Sequence, residues 1–201
     1  MTSRLILVRH GETDWNAAGR AQGHTDIPLN ATGEDQARRL AKRLAGEQID
    51  RILSSDLARC LRTVSLALPG REVEALTALR ERSFGELEGQ PYSLARDAAH
   101  RLAAELGVEE EHVRAGGGES YRDLWERLEP VAERLLASEG TTLVATHGGA
   151  KAMLIAMLLG GSPLMAKRFR LSNASVSEFI LRDGLWLLTR YQDVRHLDDA
   201  P

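Results

Sequence analysis

One cysteine, Cys60, in 201 residues rules out an intramolecular disulfide framework, so stability has to come from a buried apolar core. Aromatic residues make up only 4% of the chain, and no basic run is interleaved with them, which removes the stacking surface of a nucleic-acid binder. Neither sign of charge dominates. The formal net charge of −3 supports neither a nucleic-acid partner nor a membrane surface, so an anionic ligand has to be captured by local charge. Long apolar runs are absent as well: the stretch from Ala152 to Leu159 is bounded by Lys151 and Gly160-Gly161, far short of the roughly 18 residues of a membrane helix. The start Met1-Thr2-Ser3-Arg4 does not have the form of a signal peptide, and a cytoplasmic protein is expected.

Several catalytic signatures are also missing. His24, His100, His112 and His196 show no metal-ligand spacing, so no metal is expected. Cys60 is not followed by the arginine of a thiolate phosphate-binding loop, since the sixth residue on is Leu66, and it reads as a core cysteine. Gly116-Gly117-Gly118 has no downstream Lys-Ser or Lys-Thr and reads as a flexible loop. There is no Gly-x-Ser-x-Gly elbow of a serine hydrolase.

What is present is an alternation of strand-like and helix-like segments, the pattern of βα units around a largely parallel sheet. Leu5-Ile6-Leu7-Val8, Ile49 to Leu53 and Thr141 to Thr146 read as buried strands, with Glu72 to Ala75 a short weak one. Thr32 can cap a helix whose apolar stripe is Ala37, Leu40, Ala41 and Leu44, and Ser54-Ser55-Asp56 offers caps for a helix starting near Leu57. Pro91 to Leu106 reads as a helix, and a later one shows Leu124, Leu128, Val131 and Leu135 on one face, disturbed at Pro130. Val176 to Leu181 and Trp186 to Tyr191 form a hairpin around Arg182-Asp183-Gly184, and Leu197 to Pro201 reads as a frayed tail. With 43% hydrophobic residues the chain supports one substantial core, so residues 1–201 are expected to form one domain.

Two strands deliver a histidine as they end. Arg9-His10-Gly11-Glu12-Thr13 follows the first, and His147-Gly148-Gly149 follows Thr146. In open α/β sheets ligands bind beyond the carboxyl ends of the strands, so one shared pocket is expected. These motifs stand in order with Trp15-Asn16, Gln22-Gly23, Asp26-Ile27-Pro28-Leu29, Ser54-Ser55-Asp56-Leu57-Ala58-Arg59, Leu79-Arg80-Glu81, Phe84-Gly85, Glu88-Gly89 and Gly118-Glu119-Ser120. Over nearly the whole chain this set resembles the histidine phosphatase superfamily, which includes the cofactor-dependent phosphoglycerate mutases. The resemblance implies a three-layer α/β/α sandwich with a mostly parallel central sheet, phosphoglycerate mutase-like; residues 90–118, between the acid motif and Gly118-Glu119-Ser120, are expected from that position to cap the active site.

A phosphoryl group carries close to two negative charges and three acceptor oxygens, so its site needs donors that keep their protons. Arg9 and Arg59 meet that need through planar, permanently cationic forks, and backbone N–H groups after Gly11 and at the Leu57 helix start can assist. A neutral imidazole is available near pH 7, which favours His10 as nucleophile. By resemblance, His10 is phosphorylated and water hydrolyses the adduct, while His147 stabilises charge on the transferring group. Glu81, chosen over Glu86 and Glu88 for its register before Phe84-Gly85, serves by the same resemblance as general acid and then general base. Asn16, Gln22, Gly23 and Gly148 complete the expected contacts to a small phosphorylated metabolite, with no cofactor expected.

Three functional classes follow. The first is a metal-independent phosphatase acting on a small phosphomonoester. The second is a cofactor-dependent phosphoglycerate mutase, disfavoured because the family's Glu-Arg-His-Tyr-Gly is here Glu81-Arg82-Ser83-Phe84-Gly85 and its Trp-Arg-Arg run is absent. The third, a non-catalytic phospholigand binder, has no need of a neutral nucleophile and a matched acid. The sequence carries no signal for oligomeric state.

Overall fold

The computed structural model describes residues 3–198. Six strands form one sheet in the order β3-β2-β4-β1-β5-β6, where β1 is Arg4–Arg9, β2 Arg51–Ser55, β3 Glu74–Leu76, β4 Thr141–Thr146, β5 Val176–Arg182 and β6 Leu185–Asp193. The first four in that order run parallel, and β5 and β6 add an antiparallel edge. The sheet is therefore mixed and mostly parallel.

Strand alternation explains the layers. Leu5 and Leu7 of β1, Leu53 of β2 and Val144 of β4 join a core with α5 (Tyr121–Leu136) and α6 (Gly148–Leu158). Ile6, Val8, Ile52, Leu143 and Ala145 point the other way, into a core with α2 (Ala31–Leu44) and α3 (Ala58–Ala67). Helices thus cover both faces, as a central parallel sheet requires, because strands buried on both sides read as continuous apolar runs. Each fully buried Leu or Ile contributes about 1.5–3 kcal/mol relative to exposure. Two further helices, α1 (Asp14–Ala17) and α4 (Tyr92–Leu106), lie in the connections that follow β1 and β3.

Local chemistry decided several boundaries differently from expectation. The cap of α2 is Asn30, whose side chain accepts from Gly33 N, rather than Thr32. No side chain of the Ser54–Asp56 stretch caps α3; instead Asp26 Oδ1, brought from a distant loop, accepts from Ala58 N at 2.9 Å. Ser120 closes a capping box with Asp123, and α5 runs unbroken through Pro130. Gly116 and Gly118 are not a loose loop: a Cβ at either would meet Phe84 or Gly85 backbone at 3.0 Å or less. The hairpin turn is as expected, since Asp183 and Gly184 both take positive φ, 52° and 76°, the combination a two-residue turn of the primed type needs. Of the expected tail, Leu197 closes a 3₁₀ turn onto Val194 O, while residues 199–201 lie outside the described residues.

Candidate active site

Register brings the two histidines together. Arg9 pairs with Thr146 across parallel β1 and β4, so the next residue of each strand is His10 or His147, and His10 N donates to Thr146 O at 2.9 Å. Their rings meet edge-on with centroids 5.1 Å apart. Ser54 pairs with Ala145, which places Ser55 and the first turn of α3, carrying Arg59, on the far side of His147.

The tautomers follow from the partners. His10 Nδ1 lies 2.6 Å from Gly11 O, and since a carbonyl only accepts, Nδ1 carries the proton and Nε2 keeps its lone pair. Burial first, then the charges of Arg9 and Arg59, hold His10 well below the ordinary imidazole range. His147 is pushed down in the same way, by burial and then by Arg59 and His10. Its Nδ1 accepts from Arg59 Nε at 3.1 Å, leaving Nε2–H to donate to Ser55 Oγ at 2.8 Å.

Glu81 reaches the site on the segment after β3. Its carboxylate accepts from Gly149 N (2.7 Å) and Ala150 N (3.0 Å) in the first turn of α6 and from Arg82 N (2.9 Å), with the helix N-terminus favouring an anion there. The two neighbouring carboxylates have other surroundings. Glu88 holds the loop at His24 N, Thr25 N and Phe84 N, and Glu86 is exposed.

A cleft of about 500 Å³ opens beside these groups. Of the expected site residues, Arg9, His10, Asn16, Gln22, Glu81 and Gly148 line it. Arg59, His147 and Gly23 do not: they form the layer behind His10. Arg59 is fully buried, and its remaining donors go to Gly23 O (2.7 Å) and Thr25 O (2.9 Å), so the fork expected to grip a ligand ties the 23–25 loop to His147 instead. Asn16 and Gln22 share a network with Thr13 and Asn173, yet Gln22 Nε2 and Arg9 Nε are buried donors without a partner. Buried donors of that kind call for an acceptor.

Sequence reasoning missed Asn173, Arg82 and Arg170, which also line the cleft. No motif signalled the last of these. Of segment 90–118, Tyr92 and Arg96 reach the cleft. Cys60 is buried with Sγ 3.5 Å from His147 Nε2, and burial pushes its thiol up to about 12. Glu109, Glu111 and His112 cluster closely enough to hold a cation, but none lines the cleft and Glu111 already pairs with Arg122.

This geometry matches a known family. The family model described as "Histidine phosphatase superfamily (branch 1)" matches residues 5–194. The chain belongs to that superfamily. Relatives in the histidine phosphatase superfamily include "Probable phosphoglycerate mutase GpmB" of Serratia proteamaculans, 37% identical over 215 residues, covering 97% of this chain and 95% of the relative. Among solved structures, phosphoserine phosphatase of Entamoeba histolytica in complex with 3-phosphoglyceric acid superposes with a TM-score of 0.84 at 31% identity, over 98% of this chain and 100% of that one. The alpha-ribazole phosphatase of Shigella flexneri gives 0.83 at 29% identity, over 94% and 96%. The structural neighbours are thus small-molecule phosphatases, while curated relatives carry a mutase name. Among the described residues no helix is long and apolar enough to cross a membrane.

Proposed function

We propose that this histidine phosphatase superfamily member is a metal-independent phosphatase that hydrolyses a small phosphomonoester through a phosphohistidine at His10. The observation that carries the reading is a single one: an imidazole kept neutral, with its Nδ1 proton committed to Gly11 O, presents a free Nε2 in a cleft shared with Arg9 and Glu81. A nucleophile in that state attacks phosphorus without first shedding a proton.

In the first step Nε2 forms a bond to phosphorus as the bond to the ester oxygen breaks, and the proton held by Glu81 passes to that oxygen. In the second, Glu81 takes a proton from water, the water oxygen bonds to phosphorus, and the N–P bond breaks, returning its electron pair to Nε2. Arg9 and Gln22 supply donors to the phosphoryl oxygens, with their unpartnered N–H groups turning to meet them. Arg59 acts from behind by adding positive charge, and neutral His147, fixed by Arg59, forms the wall against which His10 stands. Residues 90–118 act as a cap through Tyr92 and Arg96.

A phosphorus NMR time course in EDTA, with 3-phosphoglycerate, fructose bisphosphates, sugar phosphates and a nucleotide monophosphate, tests this directly. Growth of inorganic phosphate is expected. Appearance of 2-phosphoglycerate on adding catalytic 2,3-bisphosphoglycerate would replace hydrolase by mutase, the reading that the names of curated relatives favour. Loss of all activity in EDTA would overturn metal independence. His10→Ala should abolish turnover and the acid-labile label, and Glu81→Gln should slow the first step about 10²–10⁴-fold, most for poor leaving groups.

A further inference from the structure

Behind the site lies a lysine with no counter-ion. Lys151, in the first turn of α6, is fully buried, and its Nζ donates to Ser175 O at 2.7 Å and to Ser175 Oγ at 3.2 Å, with no carboxylate partner among the described residues. Burial first, then the charge of Arg9, push its pKa well down. A neutral amine has two N–H groups, and Ser175 takes up both. An apolar side chain would fill the same space with no amine to desolvate, so what Lys151 adds is its grip on Ser175.

Ser175 closes a turn that faces the nucleophile. Its N–H donates to Ser172 O at 3.2 Å, and Ala174 takes φ 53°, a left-handed backbone that a residue with a Cβ keeps only where its surroundings hold it. Gln192 holds the outer end of the turn through Ser172 N and Oγ. Lys151 holds the inner end, on the same carbonyl that accepts from Arg9 N at 3.2 Å. The turn carries Asn173 into the cleft, where its Nδ2 meets His10 O (3.1 Å), Gly11 O (3.2 Å) and Asn16 Oδ1 (3.0 Å). Gly11 O is also the acceptor of the His10 Nδ1 proton. Contacts thus run from the Lys151 amine to the carbonyl that sets the His10 tautomer, because the hydrogen bond made by one ring nitrogen decides which of the two keeps its proton.

We infer that Lys151 is a positioning residue: by gripping Ser175 it fixes the 172–175 turn, aims Asn173 at Gly11 O and so keeps His10 in the form whose Nε2 lone pair faces the cleft. It touches no substrate. Its effect on turnover rests on the phosphatase reading, whereas its effect on the His10 ring does not.

Ring-nitrogen NMR of Lys151→Met, with His10 assigned against His10→Ala, reads the tautomer without turnover, and kcat and KM on p-nitrophenyl phosphate read its consequence. The wild-type ring should show one protonated and one unprotonated nitrogen, Nδ1 and Nε2. In Lys151→Met the two resonances should move toward each other as the Nε2–H form gains, with kcat down about tenfold or more and KM little changed. Asn173→Ala should reproduce the change in the ring. Lys151→Met made in that background should add no further loss of kcat, because a residue that acts through another is silent once the other is gone. Ser175→Ala, which removes one of the two acceptors and leaves the carbonyl, should give the same signs at smaller size and carries the test if Lys151→Met does not fold. An unaltered His10 ring in the folded variant, or losses of kcat that combine in full across the Lys151 and Asn173 pair, would overturn the inference. A changed ring in Lys151→Met, beside wild-type protein that releases phosphate from neither p-nitrophenyl phosphate nor the esters of the NMR time course, would overturn the phosphatase reading alone.

Discussion

A histidine that attacks phosphorus has to be unprotonated, and His10 is held so both by its burial and by two neighbouring guanidinium groups. Because its folded pKa lies below the unfolded one, protonation favours the unfolded chain, and His10 contributes stability that is lost as the pH falls below about 6.5. In the folded protein its ring should therefore stay neutral where a free imidazole is half charged. Ring-nitrogen NMR, with the resonance assigned through His10→Ala, should show no titration between pH 8 and about 6.5; a midpoint at the free-imidazole value would sink the account. Glu81 depends on a neighbour of a different kind. A Cβ at Gly149 would sit 2.4 Å from Glu81 Oε1, so Gly149→Ala must push the carboxylate off the α6 N-terminus. Turnover is expected to fall about 10²-fold or more while the protein stays folded, as misplacement of a catalytic group by an ångström costs that much. Wild-type turnover in a folded Gly149→Ala protein would show that this seat for Glu81 is not needed.

At the scale of elements, α5 shows what can and cannot be seen in a sequence. Its apolar stripe was legible from the spacing of Leu124, Leu128, Val131 and Leu135, all buried, because helical periodicity is a local property. Pro130, where a disturbance is expected, does not end the helix: the residue is exposed, and the packing of that stripe holds the helix through a position with no N–H to donate. Pro130→Ala should then stabilise the protein, by about 1–3 kcal/mol, since it restores a hydrogen bond and removes a clash without opening a cavity. Ser120→Ala should do the opposite, costing about 1 kcal/mol by removing the cap. Chemical denaturation reads both, and an unchanged midpoint for Pro130→Ala would mean the helix had already relaxed around the ring. The site was legible for the same reason as the stripe wherever its residues lie next to strand ends, as His10 and His147 do. It was not legible where partners come from afar. Asp26 on α3, Arg59 on the 23–25 carbonyls and Arg170 in the cleft are all long-range placements that no local pattern encodes.

For the whole molecule the most consequential side chain is one that no motif marked. Lys151 is fully buried within α6, its Nζ donating to Ser175 O (2.7 Å) and Ser175 Oγ (3.2 Å), with no carboxylate partner among the described residues. The helix around it is buried at every residue from Ala150 to Ala156. An ammonium at the centre of such a helix is costly to desolvate. Burial, aided by the charge of Arg9, lowers the Lys151 pKa well below its ordinary value. In the unfolded chain the same group binds its proton up to a pH of about 10.4, so between the depressed folded pKa and that value the unfolded state holds a proton that the native state lacks. Stability must then rise with pH through that window, by about 1.4 kcal/mol per unit from this group alone. Lys151→Met keeps an unbranched side chain one atom shorter and removes the titrating amine. It is expected to be the more stable protein below the unfolded lysine pKa of about 10.4, with an advantage that shrinks as the pH rises from the depressed folded pKa toward that value. Denaturant titrations of both proteins at several pH values isolate the effect, because every other titrating group is shared. Parallel stability curves would mean that Lys151 is charged in its buried place, with Ser175 and the α6 packing sufficient to hold it there.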